Sequence, residues 1–304
     1  MLAAQASLGR GRVTESGCLP RRSRKPHSTR AWLLLAPAGG LISVLVICTL
    51  LVLRLSFGTK DAEWSGWTLS NYAMLDQRLY MSSLVATIRL ALTSSILAVL
   101  LAFPISLFMA RTRNAVARRV VLMCVLFPML MSLLLQSWGW IVILGPNGLL
   151  NSLSKALGLT KQPLPLLFNE FSVLLGLVQT TLPLAVLPIA SAIQNIPRAL
   201  EEAAGVLGAS RWRVYVHIIV PMAFPGIVAA SLLIFGFNVG AFVVPLLLGG
   251  LRVTTVAVLI RDQMGPLLNW PLGAAASVVL IAIALTVQGA YSMMLSRGPN
   301  ARQA

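Results

Sequence analysis

Six long apolar runs restrict this chain more than any other feature. They lie near residues 33–56, 84–110, 120–144, 171–193, 224–248 and 272–295. A helix needs about 20 such residues to cross a hydrocarbon core ~30 Å thick. Inside that core no water satisfies the backbone, so the crossing segments must bond internally as helices. The composition agrees: 57% of residues are hydrophobic and 11% charged, against about 25% charged in a soluble domain. The chain is therefore expected to be an all-α membrane protein with six transmembrane helices. The first run follows RRSRKPHSTR, as a signal peptide would. Its apolar core exceeds the 7–15 residues of such a signal, and no small-x-small cleavage site follows, so an uncleaved span is expected.

A formal net charge of +16 could suggest a nucleic-acid partner. In a membrane protein it reads better as basic residues collected on the cytoplasmic side. With the N-terminus inside, 16 of the 24 Lys and Arg fall in segments 1–30, 111–119, 194–222 and 297–304, and six in the outer connections. Both termini are then cytoplasmic, and no nucleic-acid partner is expected. Residues 1–30 read as a disordered basic tail. Residues 31–304 read as the membrane domain, with its main cytoplasmic loop at 194–222. Outside, residues 57–83 carry Trp64, Trp67 and Tyr72, suited to the interface. Residues 145–170 contain GPNGLLN and QPLPLL, turn chemistry for a segment folded over the outer mouth. Cys18, Cys48 and Cys124 are far apart and lack metal or disulfide spacing.

The cytoplasmic loop reads EEAAGVLGASRWRVYVHIIVP over residues 201–221. Pro197 suits the first turn of a helix. Gly208 suits the left-handed residue that ends it. Ser210 can cap a second short helix, RWRVYVHII, expected to stop at Pro221 before span five. Ala203 and Ala204 allow close approach, Glu201 and Glu202 add charge, and Trp212 and Tyr215 offer rigid aromatic area. An amphipathic helix lying on lipid headgroups would use the same residues, so the loop alone leaves both readings open.

The spacing Glu202-Ala203-Ala204, x3, Gly208, x9, Ile218, x, Val220-Pro221 resembles the EAA loop of ABC importer permeases, E-A-A-x3-G-x9-I-x-L-P. Val220 in place of leucine is the one departure. LSNYAML, ILGPNGLLN, FVVPLLLGG and NWPLGAAASVVL extend the likeness from about residue 68 to 295. Together they are similar to the spermidine/putrescine transport permeases, B-type subunit. Relatives of that branch carry opines, phosphonates, ferric iron or sulfate. Ala241 stands where many relatives carry an acid. The resemblance implies a type I ABC importer permease (MetI-like) architecture in the bacterial inner membrane. It implies an ATPase-coupling loop carried by Glu201, Glu202, Ala203, Ala204, Gly208, Ile218 and Pro221. It also implies partners: two copies of an ATP-binding cassette ATPase, a second permease subunit (C-type, forming a heterodimer), a periplasmic solute-binding protein and membrane lipid. ATP and Mg would belong to the ATPase, with no cofactor, metal or catalytic residue on this chain.

The sequence holds no G-x-x-x-x-G-K-[ST] loop and no HExxH, so phosphate-loop and zincin chemistry have no seat here. The apolar runs hold no carboxylate, which disfavours an ion-coupled secondary carrier. A solute path would have to use Gln136, Trp138, Trp140, Gln179, Thr180 and Asn238, passing a cation along by aromatic faces and amide oxygens. The same residue types also bond neighbouring helices or anchor at the interface. Arg89, two turns inside span two, would snorkel or pair within the bundle.

Overall fold

The computed structural model describes residues 28–60 and 66–296. The expected basic tail and Trp64 lie outside them, apart from Ser28–Arg30 at the start of the first helix. Two compact units divide the chain at Thr49 and Leu50. In the first, the described residues form the greater part of helix α1 (Ser28–Ser56).

The second unit holds the end of α1 and eleven further helices among its described residues. A short helix α2 (Ser70–Met74) precedes the long α3 (Arg78–Arg111). Next come α4 (Ala115–Leu126), α5 (Leu133–Leu144) and α6 (Leu149–Ala156). Then come α7 (Glu170–Gln194), α8 (Arg198–Val206), α9 (Arg211–Val214) and α10 (Val220–Val239). The last two are α11 (Val256–Met264) and α12 (Trp270–Ser296). Six helical stretches are long and apolar enough to cross a membrane: Pro37–Ser56, Arg78–Arg111, Leu133–Ala156, Glu170–Gln194, Arg211–Val239 and Trp270–Met293.

The core is the packing of α3, α7 and α10. Where lipid is as apolar as leucine, close packing of small side chains replaces the hydrophobic drive. Ala98 and Ala102 of α3, Ala185 of α7, and Ala223 and Ala230 of α10 are all fully buried. Three links staple α3 to α7 in parallel. Arg89 pairs with Glu170, Ser106 Oγ donates to the Val186 carbonyl at 2.9 Å, and Arg111 donates to the Ile196 carbonyl at 3.2 Å. Helix α10 runs the other way. Its far end meets α3 through Asn238 and Ser94 at 2.8 Å, and its Gly226 lies against Pro188 and Ala192 of α7.

Two spans depart from the sequence expectation. Span three is not one helix over 120–144. A 3-10 turn at Phe127–Leu130 and an extended Met131–Ser132 step divide it into α4 and α5. Pro128 lacks an N–H and crowds the preceding turn, and the Ser132 hydroxyl restarts the helix by accepting from Leu134 N at 3.3 Å. Twelve residues of α5 rise only about 18 Å, so the crossing is shared with its neighbours. Span five starts earlier and ends earlier than 224–248. Helix runs without a break from Arg211 to Val239, and the chain turns at Gly240 before a π turn at Pro245–Gly249.

A methyl group on Gly226 would collide with Ala192 Cβ and come within 3.1 Å of the Pro188 carbonyl. Overpacking of this kind costs about 1–3 kcal/mol. Gly226→Val should therefore lower the thermal unfolding midpoint of the detergent-purified protein by several degrees. An unchanged midpoint would show that α7 and α10 do not depend on this close approach.

Candidate functional site

Helix α8 sits at the end of the bundle where α3 and α7 finish. Pro197 is its N-cap, with extended backbone at φ −60° and ψ 129°. Its C-terminus closes with two reversed bonds: Gly208 N to the Gly205 carbonyl and Ala209 N to the Ala204 carbonyl, each 3.0 Å. This pattern needs a left-handed residue after the helix, and Gly208 supplies it at φ +80°. The Ser210 hydroxyl then accepts from Arg213 N at 3.4 Å and starts α9. The result is a helix, a left-handed glycine and a second helix.

Side chains at this turn face outward. Val206 is 89% exposed, Leu207 87% and Trp212 76%. Glu202 and Ala203 are exposed, and Ala204 is half-buried. The two glutamates differ. Glu201 turns inward and pairs with Arg111 at 2.5 Å, the two side chains being 22% and 15% exposed. Arg111 also donates to the Ile196 carbonyl, while Arg198 donates back to the Arg111 carbonyl at 3.4 Å. Arg111 thus joins the last turn of α3 to both ends of the Ile196–Glu201 segment. Glu202 is exposed and forms no ion pair among the described residues.

The expected stop at Pro221 does not occur. Tyr215–Ile219 form a π turn, in which the Val220 N–H reaches back to the Tyr215 carbonyl. Widening the helix here absorbs the bond that Pro221 cannot make, and α9 runs straight on into α10 through Pro221 and Pro225. Ile218 and Pro221 are half-buried, whereas Ile219 is fully buried in the α3–α7–α10 core.

The six path candidates make different contacts. Trp140 Nε1 donates to Gln179 Oε1 at 3.0 Å, joining α5 to α7. Gln136 donates to the Pro128 and Met131 carbonyls at 2.5 and 3.1 Å, which seals the broken span. Trp138 is exposed. The Thr180 hydroxyl bonds back to the Leu177 carbonyl at 3.0 Å. Asn238, 4% exposed, donates to Ser94 Oγ, leaving its Oδ1 without a partner.

At the opposite end, Glu170 was not singled out from the sequence. It opens α7 beside the Asn169 capping box and holds Arg89. The available signal was its place after an N-cap asparagine, in the first turn where acids are favoured. Nearby, Asn151 is fully buried in the 145–170 connection. It donates to the Gly145 and Leu164 carbonyls and accepts from Leu164 N. The sequence motif ILGPNGLLN thus ends on the residue that ties this connection shut. Among the described residues no group of three or more His, Cys, Asp or Glu could hold a metal.

Removing Arg111 leaves Glu201 partly buried without a counter-charge, which costs about 2–3 kcal/mol. Arg111→Leu should lower the thermal midpoint clearly, and Arg111→Leu with Glu201→Leu should recover part of the loss. Equal losses in both would place the cost in packing rather than in the ion pair.

A match to the family described as binding-protein-dependent transport system inner membrane component covers residues 102–297. The chain is 32% identical over 248 residues to the spermidine/putrescine transport system permease protein PotB of Escherichia coli (strain K12), covering 81% of this chain and 90% of that one. It is 32% identical over 263 residues to PotB of Haemophilus influenzae, covering 84% and 92%. The fold matches a chain from the crystal structure of a bacterial alginate ABC transporter in complex with alginate pentasaccharide-bound periplasmic protein. There the TM-score is 0.74 at 20% identity, covering 88% of this chain and 95% of that chain. The chain belongs to the binding-protein-dependent transport system inner membrane components and is a permease subunit of an ABC importer.

Proposed function

We propose that this permease imports polyamines, spermidine and putrescine, and that the turn around Gly208 receives the force of ATP binding. The likeness to PotB over four fifths of the chain carries the solute assignment. The exposed, rigidly capped helix pair carries the mechanical one. Three large apolar side chains around a fixed turn form a compact anchor of the kind that fills a pocket in a partner.

In this reading the pore consists of this chain and a second, C-type permease subunit. Two copies of an ATP-binding cassette ATPase bind Mg and ATP on the cytoplasmic side. Glu202, Ala203 and the apolar tips at Val206, Leu207 and Trp212 sit in an ATPase groove. When the ATPases close, α8 moves with them. Arg111 passes that movement to the end of α3, and the continuous helix from Arg211 to Val239 passes it through span five. The pore then opens outward, where a periplasmic binding protein delivers the solute. Hydrolysis resets it. Basic residues concentrate in the segments at 111–119 and 194–222 and in both terminal segments, a bias that supports α8 and both termini on the cytoplasmic side. The chain supplies no catalytic group. Trp140 and Gln179, joined across α5 and α7, are the strongest pair for contact with a cationic solute. Aromatic faces and amide oxygens hold such a solute weakly enough to release it.

Uptake of radiolabelled spermidine and putrescine, with and without this subunit and with the rest of its system present, tests both parts. Uptake should depend on the subunit. It should return with wild type and with Gly208→Asn, because asparagine tolerates the left-handed region. It should not return with Gly208→Val, because a β-branched residue resists that geometry. Polyamine uptake unchanged by loss of the subunit would remove the solute assignment and turn attention to opines, phosphonates, ferric iron or sulfate. Full activity of Gly208→Val would remove the coupling role of the turn.

A further inference from the structure

A groove of about 300 Å³ opens between α2, the start of α3, α11 and α12. It lies at the end of the bundle opposite α8 and takes no part in the mechanism above. Its lining changes character along its length. At the membrane-boundary end stand Tyr72, Asp76 and Tyr80, and deeper in stand Leu84, Val279 and Ile283. Leu84 is six residues into α3, and Ile283 is thirteen residues into α12. At 1.5 Å per residue these depths are about 9 and 20 Å. The polar end therefore lies at the outer ends of these spans and the apolar end lies further along them, which suits a headgroup at one end and an acyl chain at the other.

The geometry points to a site for one phospholipid with a primary-ammonium headgroup. Asp76 is exposed and forms no ion pair among the described residues. Asp76 shares this end of the groove with Tyr72 and Tyr80, and an exposed carboxylate attracts a small cation by charge. Arg78, exposed two residues further on, suits the phosphate of the same headgroup. Charges of both signs at headgroup depth match a zwitterion. The apolar walls below match an acyl chain, which fills apolar space that water leaves dry. A free polyamine would satisfy Asp76 but would leave the deep apolar half of the groove unmatched, so the lipid accounts for the whole site. The inference rests on the membrane placement of the chain and not on its solute.

The test uses the assembled transporter in nanodiscs containing equal amounts of phosphatidylethanolamine and phosphatidylglycerol, with retained lipid read by native mass spectrometry. Wild type should retain phosphatidylethanolamine preferentially. Asp76→Asn should reduce that preference about fivefold, the scale of an exposed ion pair. Ile283→Trp, which fills the deep end, should remove the retained lipid. If that variant fails to assemble, Asp76→Asn, on an exposed side chain, still decides the question. Equal retention of both lipids by wild type would overturn the site. So would protection of the wild-type transporter by putrescine, lost in Asp76→Asn, with no lipid retained: that result would assign the carboxylate to the solute instead.

Discussion

Close contact of small residues between α3, α7 and α10 is the constraint on which the rest depends. In lipid, helices gain little from burying leucine, so they must gain from fit and from bonds across the interface. Ala98, Ala102, Ala185, Ala223 and Ala230 let the three backbones approach. Hydrogen bonds from Ser106 and Asn238 fix their register. Charged pairs lie at both ends of α3: Arg89–Glu170 joins it to the start of α7, and Arg111–Glu201 joins it to α8. A rigid three-helix slab can move as a lever, whereas a loosely packed one would absorb the movement in side-chain rearrangement.

The turn between α8 and α9 is attached to this slab at two points. Arg111 holds it from the side of α3, and the unbroken α9–α10 helix holds it from the side of α10. The π turn at Tyr215–Ile219 matters here. A proline inside a helix ordinarily invites a kink, and a kink at Pro221 would dissipate movement between α8 and the membrane. Widening the helix by one bond just before the proline keeps the two segments continuous.

Local chemistry was legible in the sequence, and distant partnership was not. Gly208 and Ser210 act through the backbone within a few residues, so their places as left-handed turn and cap could be read directly, whereas Pro197, expected in the first turn, is the N-cap residue just before it. The apolar runs marked six crossing segments because length and hydropathy are local properties too. Pro128 marked a lost backbone bond in span three, but the 3-10 turn and extended step that divide the span there leave the apolar pattern unchanged and could not be read from it. The opposite error occurred at Pro221, where the proline was visible but the compensating π turn was not. Glu201 and Glu202 are neighbours of identical type. Only the placement of Arg111, ninety residues earlier in the chain, separates a structural role from an outward-facing one. Among the path candidates, Gln136 and Thr180 satisfy backbone carbonyls of their own segment, which their residue types alone could not reveal.

The most direct measurement is disulfide cross-linking in the assembled transporter. Leu207→Cys, at the exposed tip of the turn, would be paired with single cysteines around the rim of the ATPase groove. Leu251→Cys, fully exposed at the other end of the bundle, serves as the control. If the turn docks on the ATPase, position 207 cross-links to it with a yield altered by ATP and position 251 does not. A cross-link from 251, or none from 207 at any rim position, would rule out docking through this turn.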